Sequence, residues 1–168
     1  MASIRTELKI EAPVEDVWHV LSDLPTWSDW NPLMVEMVGE TRAGADLALA
    51  VRTTSGRRFE TVATILVFEP QSELRWGGGR RPWIWIEHFV RVRPDGTGTL
   101  LEHGEDFGGP VGWLLKTLFI RDAPYHSMNQ AVADRVAALA AHVSDREGTS
   151  EDPQNGVGAP SSNVSMNP

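Results

Sequence analysis

Residues 83–110 read WIWIEHFVRVRPDGTGTLLEHGEDFGGP, and the change of period along this stretch decides the fold. Trp83 to Arg93 and Thr97 to Phe107 alternate with period two on either side of Pro94-Asp95-Gly96, which is the pattern of two strands joined by a tight turn. Gly108-Gly109-Pro110 ends the alternation. Beyond it Trp113, Leu114 and Leu118, then Tyr125, Met128, Val132, Val136, Leu139 and Val143, recur at three- and four-residue steps. Pro124 separates a short helical lead-in from one long helix.

Working back from the hairpin, Leu74 to Gly77 reads as a short strand and Gly77 to Pro82 as a flexible, glycine-rich connection. Leu47 to Thr53 and Phe59 to Phe68 form another hairpin through Ser55-Gly56. Leu33 to Val38 is a short strand, and Leu24 to Pro32, with two prolines and two tryptophans, a lid-like connector. Pro13 opens a helix that runs to about Asp23, its first turn carrying Glu15 and Asp16. Before it, Ile4, Thr6, Leu8 and Ile10 alternate with charged residues as a first strand.

The order predicts an α+β helix-grip architecture: a curved antiparallel sheet of six to seven strands wrapped around a long C-terminal helix, with two short helices after strand one. Such a sheet buries its concave face against the helix, and a pocket remains where the helix does not fill the concavity. Residues 1–143 make the domain, and the polar stretch 144–168 is expected to be a disordered tail.

Composition narrows the function. A formal charge of −8 disfavours nucleic-acid backbone binding, which depends on lysine and arginine displacing counterions. With no cysteine the chain has no thiolate nucleophile and no zinc-thiolate site, and no histidine pair has metal-ligand spacing. No signal peptide and no bilayer-spanning run is evident, so a cytoplasmic protein without stable membrane insertion, monomeric or homodimeric, is expected. Neither glycine cluster matches a phosphate loop, and no cofactor is expected.

Three segments, Ile10-Glu11-Ala12-Pro13-Val14-Glu15-Asp16-Val17-Trp18, Trp27-Ser28-Asp29-Trp30-Asn31-Pro32 and Glu105-Asp106-Phe107-Gly108-Gly109, followed by Met128-Asn129-Gln130-Ala131, resemble the START-like helix-grip superfamily. The resemblance is to its polyketide cyclase/dehydrase and lipid-transport group, often called SRPBCC. It covers about residues 3–143 and implies the same fold. For activity it implies a protein that binds a small hydrophobic, lipid- or polyketide-like molecule, a polyketide cyclase/aromatase or dehydratase, or a protein-interaction module.

Strand periodicity selects the candidate chemistry. If Leu101 faces inward, so do Thr99, His103, Glu105 and Phe107, and on the preceding strand Ile84, Ile86, His88, Val90 and Val92. His88, His103 and Glu105 then share one surface, with Tyr125 near the start of the long helix, and these four are the candidates for proton transfer or ligand hydrogen bonds. Trp30, Trp76, Ile86, Leu101, Phe107, Met128 and Val132 are the candidate ligand-binding residues, since pockets are apolar with a few polar anchors. The competing reading makes all of these ordinary core or strand residues. Trp83 and Trp85 fall on the opposite face from Ile84 and Ile86, which leaves an exposed set for a dimer contact, and Arg80-Arg81 stand beside them.

Overall fold

The structure is a computed structural model that describes residues 2–53, 56–118 and 120–149. β1 (Ala2–Ile10) leads into α1 (Val14–Ser22), a 3-10 turn (Leu24–Thr26) and α2 (Trp27–Trp30). Six strands follow: β2 (Met34–Gly39), β3 (Asp46–Arg52), β4 (Arg58–Glu69), β5 (Glu73–Arg80), β6 (Ile84–Asp95) and β7 (Gly98–Gly108). α3 (Gly109–Leu118) and α4 (Ala123–Thr149) complete the chain.

The seven strands form one antiparallel sheet in the order β1-β7-β6-β5-β4-β3-β2. The α1–α2 connection carries the chain from one edge of that sheet to the other, so the two edges are the sequence neighbours β1 and β2. One apolar face packs under α1 and α4: Ile4, Ile10, Leu47, Leu49, Ile65, Leu74, Val90, Val92 and Leu101 meet Val17, Leu21, Tyr125, Met128, Val132 and Val136 in a single core. The expected stripe of the long helix is therefore its buried face from Tyr125 to Val136, with Leu139 partly buried. No helix of the described residues is long and apolar enough to cross a membrane.

Two details depart from the sequence reading, one in β5 and one at the end of α4. Gly77, Gly78 and Gly79 are not a flexible connection. They belong to β5 and pair with Glu87, Ile86 and Trp85 of β6. Backbone groups make a ladder whatever the side chain, and a Cβ at Gly77 would lie 2.6 Å from the Ile86 carbonyl oxygen, so glycine here allows close strand approach. The connector 24–32 holds the second of the short helical segments expected after strand one, a 3-10 turn and α2, with Trp27 buried. α4 runs to Thr149, past the expected end at 143. Ser55 of the first hairpin turn and the tail from 150 to 168 lie outside the described residues.

Candidate functional site

β6 and β7 pair without a register shift from Trp85↔Gly108 to Asp95↔Gly98. Because no bulge interrupts them, His88, His103 and Glu105 do share the concave face. His88 Nδ1 lies 2.9 Å from Glu105 Oε1 and its Nε2 2.6 Å from His103 Nε2. His103 Nδ1 lies 2.6 Å from Asn129 Oδ1 in α4. The Asn129 amide donates to Thr6 Oγ1 in β1 at 3.0 Å, and that hydroxyl donates to the His103 carbonyl at 3.1 Å. His88, His103, Asn129 and Thr6 are buried, whereas the Glu105 side chain is 19% exposed. The chain thus has a dry end at Thr6 and an accessible end at Glu105.

Burial, and then the neighbouring His88, hold the His103 imidazole well below its ordinary range, against the Asn129 hydrogen bond. His103 is accordingly neutral. Its Nδ1–H donates to the Asn129 oxygen, which leaves Nε2 as a lone pair facing His88. His88 bridges the two neighbours, its Nε2 facing His103 Nε2 and its Nδ1 facing the Glu105 carboxyl oxygen. Burial, followed by the Glu105 charge and a hydrogen bond to it, pushes the Tyr125 phenol far above its ordinary range, so Tyr125 stays a hydroxyl donor at the same carboxylate.

Aromatic rings flank this chain. Trp76 stacks on His88 with centroids 4.4 Å apart, and Tyr125 lies near-parallel to His88 at 6.1 Å. Trp27 meets Trp76 edge-on at 5.7 Å, and Trp30 lies 5.1 Å from Trp27. The Trp27 indole donates to the Leu21 carbonyl. The Trp30 indole N–H is buried with no hydrogen-bond partner, a rare and costly state for a donor.

Trp76, Leu101, Phe107, Met128 and Val132 lie within the core under α4, with Trp30 and Ile86 packed against it. The structure thus gathers the candidate proton-transfer and ligand-binding residues on one side of the sheet. A separate cleft of about 320 Å³, lined by Glu36, Ala48, Ala50, Arg58, Glu60 and Val62 among others, lies at the β2–β3–β4 end and contains none of them. Among the described residues no cluster of three or more His, Asp or Glu side chains is arranged to hold a metal. Asn129 and Thr6 were not selected from sequence. Their signal was there, since Asn129 occupies a core step of the Tyr125–Val132 stripe and Thr6 an inward step of β1.

A family profile described as polyketide cyclase / dehydrase and lipid transport matches residues 1–144. The chain belongs to this family. Solved structures with the same helix-grip fold include a structural-genomics protein from Nitrosomonas europaea (TM-score 0.67, 14% identity, 83% of this chain and 96% of that one). A START superfamily protein from Mycobacterium smegmatis is similar over 82% of this chain and 98% of its own, at TM-score 0.64 and 18% identity. The Zhui aromatase/cyclase from a Streptomyces species is similar over 81% and 93%, at TM-score 0.64 and 16% identity. A search of curated proteins finds no significant sequence match. For this polyketide cyclase / dehydrase and lipid transport family member, the family supports a ligand-binding or cyclase role.

Proposed function

We propose that the concave face binds a small hydrophobic or aromatic molecule between the sheet and α4, in contact with the Trp30–Trp27–Trp76 rings. The observation that carries this reading is a buried donor without a partner, Trp30 Nε1, in the same aromatic row that stacks on His88. A ligand acceptor satisfies that donor, and the apolar walls supply affinity through area removed from water. Tyr125 and Glu105 give the ligand a second polar anchor. Lipid-like and polyketide-like molecules share this chemistry.

Native mass spectrometry of the full-length protein from its own host, with identification of what it carries, tests the reading. A fluorescence titration with phenylnaphthylamine accompanies it. The expected result is a retained apolar molecule and saturable probe binding that falls at least tenfold in Val132→Trp, where the new ring takes the ligand's space. An empty protein whose probe binding is absent or indifferent to Val132→Trp removes the proposal.

The hydrogen bond between His88 and Glu105 favours a second reading, an acid–base cyclase or dehydratase. The carboxylate of Glu105 removes a proton from carbon next to a ligand carbonyl, and the resulting enolate carbon bonds to a second carbonyl carbon. The new alkoxide takes a proton from the Glu105–His88 pair, and loss of that hydroxyl with one further C–H proton releases water. Glu105→Gln keeps the shape and removes the base. Under this reading, turnover of a candidate poly-ketone disappears while phenylnaphthylamine binding is retained; equal turnover in wild type and Glu105→Gln refutes it.

A further inference from the structure

α3 is turned inside out. Its packed side is formed by Gly112, with Leu115 and Lys116 half-buried beside it. The arc facing solvent carries Val111, Trp113 (56% exposed), Leu114, Thr117 and Leu118 (51% exposed). A helix on a water-soluble surface ordinarily points such residues inward. Trp83, 60% exposed, continues the patch, because the Val111 amide donates to the Trp83 carbonyl at 3.1 Å. Gly109, at φ +75°, fits against the Pro82 and Trp83 carbonyl oxygens where no Cβ could stand.

Charge around the patch opposes that of the whole chain. Residues 80–83 and 109–121 contain Arg80, Arg81, Lys116 and Arg121 and no acid, in a chain of net charge −8. Arg80 and Arg81 precede Trp83 at the β5–β6 turn, with Arg81 over the Trp85 ring at 4.5 Å; Lys116 borders the packed side, and Arg121 donates to the Leu118 carbonyl at the far end. Arg81 pairs loosely with Glu87 at 3.7 Å and keeps 69% of its side chain exposed; the next acid along the chain is Asp122.

We propose that the outer face of α3 together with Trp83 is a docking surface for an anionic lipid bilayer. Apolar side chains and two tryptophans enter the headgroup boundary, and the surrounding cations meet lipid phosphates. A second copy of the chain is a poor occupant. A two-fold contact sets this patch against itself and brings the same four cations together. The surface is continuous with the end of β7 that carries Glu105 and Phe107, so docking brings that end of the concave face to the membrane.

Flotation of the full-length protein with vesicles of phosphatidylcholine alone, and of phosphatidylcholine with phosphatidylglycerol, tests the surface at low and high salt. Binding is expected only with phosphatidylglycerol and is released by salt. Leu118→Glu loses it at least tenfold. Arg80→Glu with Lys116→Glu, a pair that leaves the apolar arc intact and covers the case of a Leu118→Glu chain that fails to fold, also loses an order of magnitude or more. The proposal is overturned by absent or equal binding to the two vesicle types, or by binding that survives these substitutions. It is also overturned if sedimentation equilibrium finds a wild-type dimer that Leu118→Glu dissociates.

Discussion

His88 and Phe89 are neighbours in β6, point to opposite faces of the sheet, and are both buried, yet they are buried by opposite means. His88 sits in a linear chain of hydrogen-bonded side chains walled by aromatic rings. Phe89 lies on the outer face under three guanidinium groups, with Arg5, Arg75 and Arg91 centred 4.8, 4.9 and 4.6 Å from its ring. These arginines are held by carboxylates: Arg75 by Glu73, Glu87 and Asp106 at 2.7, 2.9 and 3.2 Å, Arg91 by Glu73 at 2.8 Å, and Arg5 by Glu102 and Asp106 at 2.9 and 3.1 Å. The outer layer is a mesh in which most charges have two partners, whereas the inner chain is single-stranded. A mesh tolerates the loss of one member; a chain does not.

The largest effect is expected where the outer mesh has its one irreplaceable piece. Phe89→Ala removes the ring on which all three arginines rest, against a Gly104 that has no side chain to fill the space. It should cost about 3–5 kcal/mol in urea unfolding, the range for emptying a packed aromatic site. A cost below about 1 kcal/mol means the arginine layer is only a solvated coat. Asn129→Leu comes next, because it strands the His103 Nδ1–H and leaves Thr6 without its donor. The expected loss is about 2–3 kcal/mol, the cost of unsatisfied buried groups, with Asn129→Asp retaining an acceptor at His103.

Arg75→Met is the matching cut in the mesh. It leaves Glu73 with Arg91, Asp106 with Arg5 and Glu87 with the Trp85 indole, so the loss should be only about 1–2 kcal/mol even though breaking an isolated buried pair costs about 3–5 kcal/mol. If it instead exceeds the cost of Asn129→Leu, the partners are not redundant and the contrast between the faces fails.

The same contrast explains what was legible in the sequence. The period of two in Ile84–Val92 and Thr99–Phe107 places His88, His103 and Glu105 together, because β6 and β7 pair without a bulge. Register shifts do occur, between Ile65 and Val67 and between Met34 and Glu36; the first lies opposite Trp76, a candidate ligand-binding residue, which is buried all the same. Thr6 and Asn129 were missed because 123 residues separate them, and only the closure of β1 onto β7 beneath α4 brings them into contact. The glycines of β5 were misread because composition signals backbone freedom, whereas the ladder uses glycine for close approach. The outward-facing α3 was invisible, since helical spacing tells which residues share a face but not which face the protein buries.

The smallest expected effect separates the two faces by pH. His103 has its proton affinity depressed by folding, so the unfolded chain binds a proton there that the native chain refuses. Its contribution to stability is complete above the ordinary histidine value of 6.5 and declines as pH falls below it, by at most about 1.4 kcal/mol per pH unit. On the outer face burial raises the affinity of Glu73, but the Arg91 and Arg75 hydrogen bonds outweigh it and leave the carboxyl below its usual 4.5. That contribution is present above 4.5 and is lost only as pH falls through the lower native value. Stability measured by urea unfolding should therefore decline in two limbs, the inner face yielding first. His103→Gln should flatten the limb below 6.5 and leave the acid limb, while Glu73→Gln should do the reverse. A single limb removed equally by either substitution would mean that the two faces titrate as one unit.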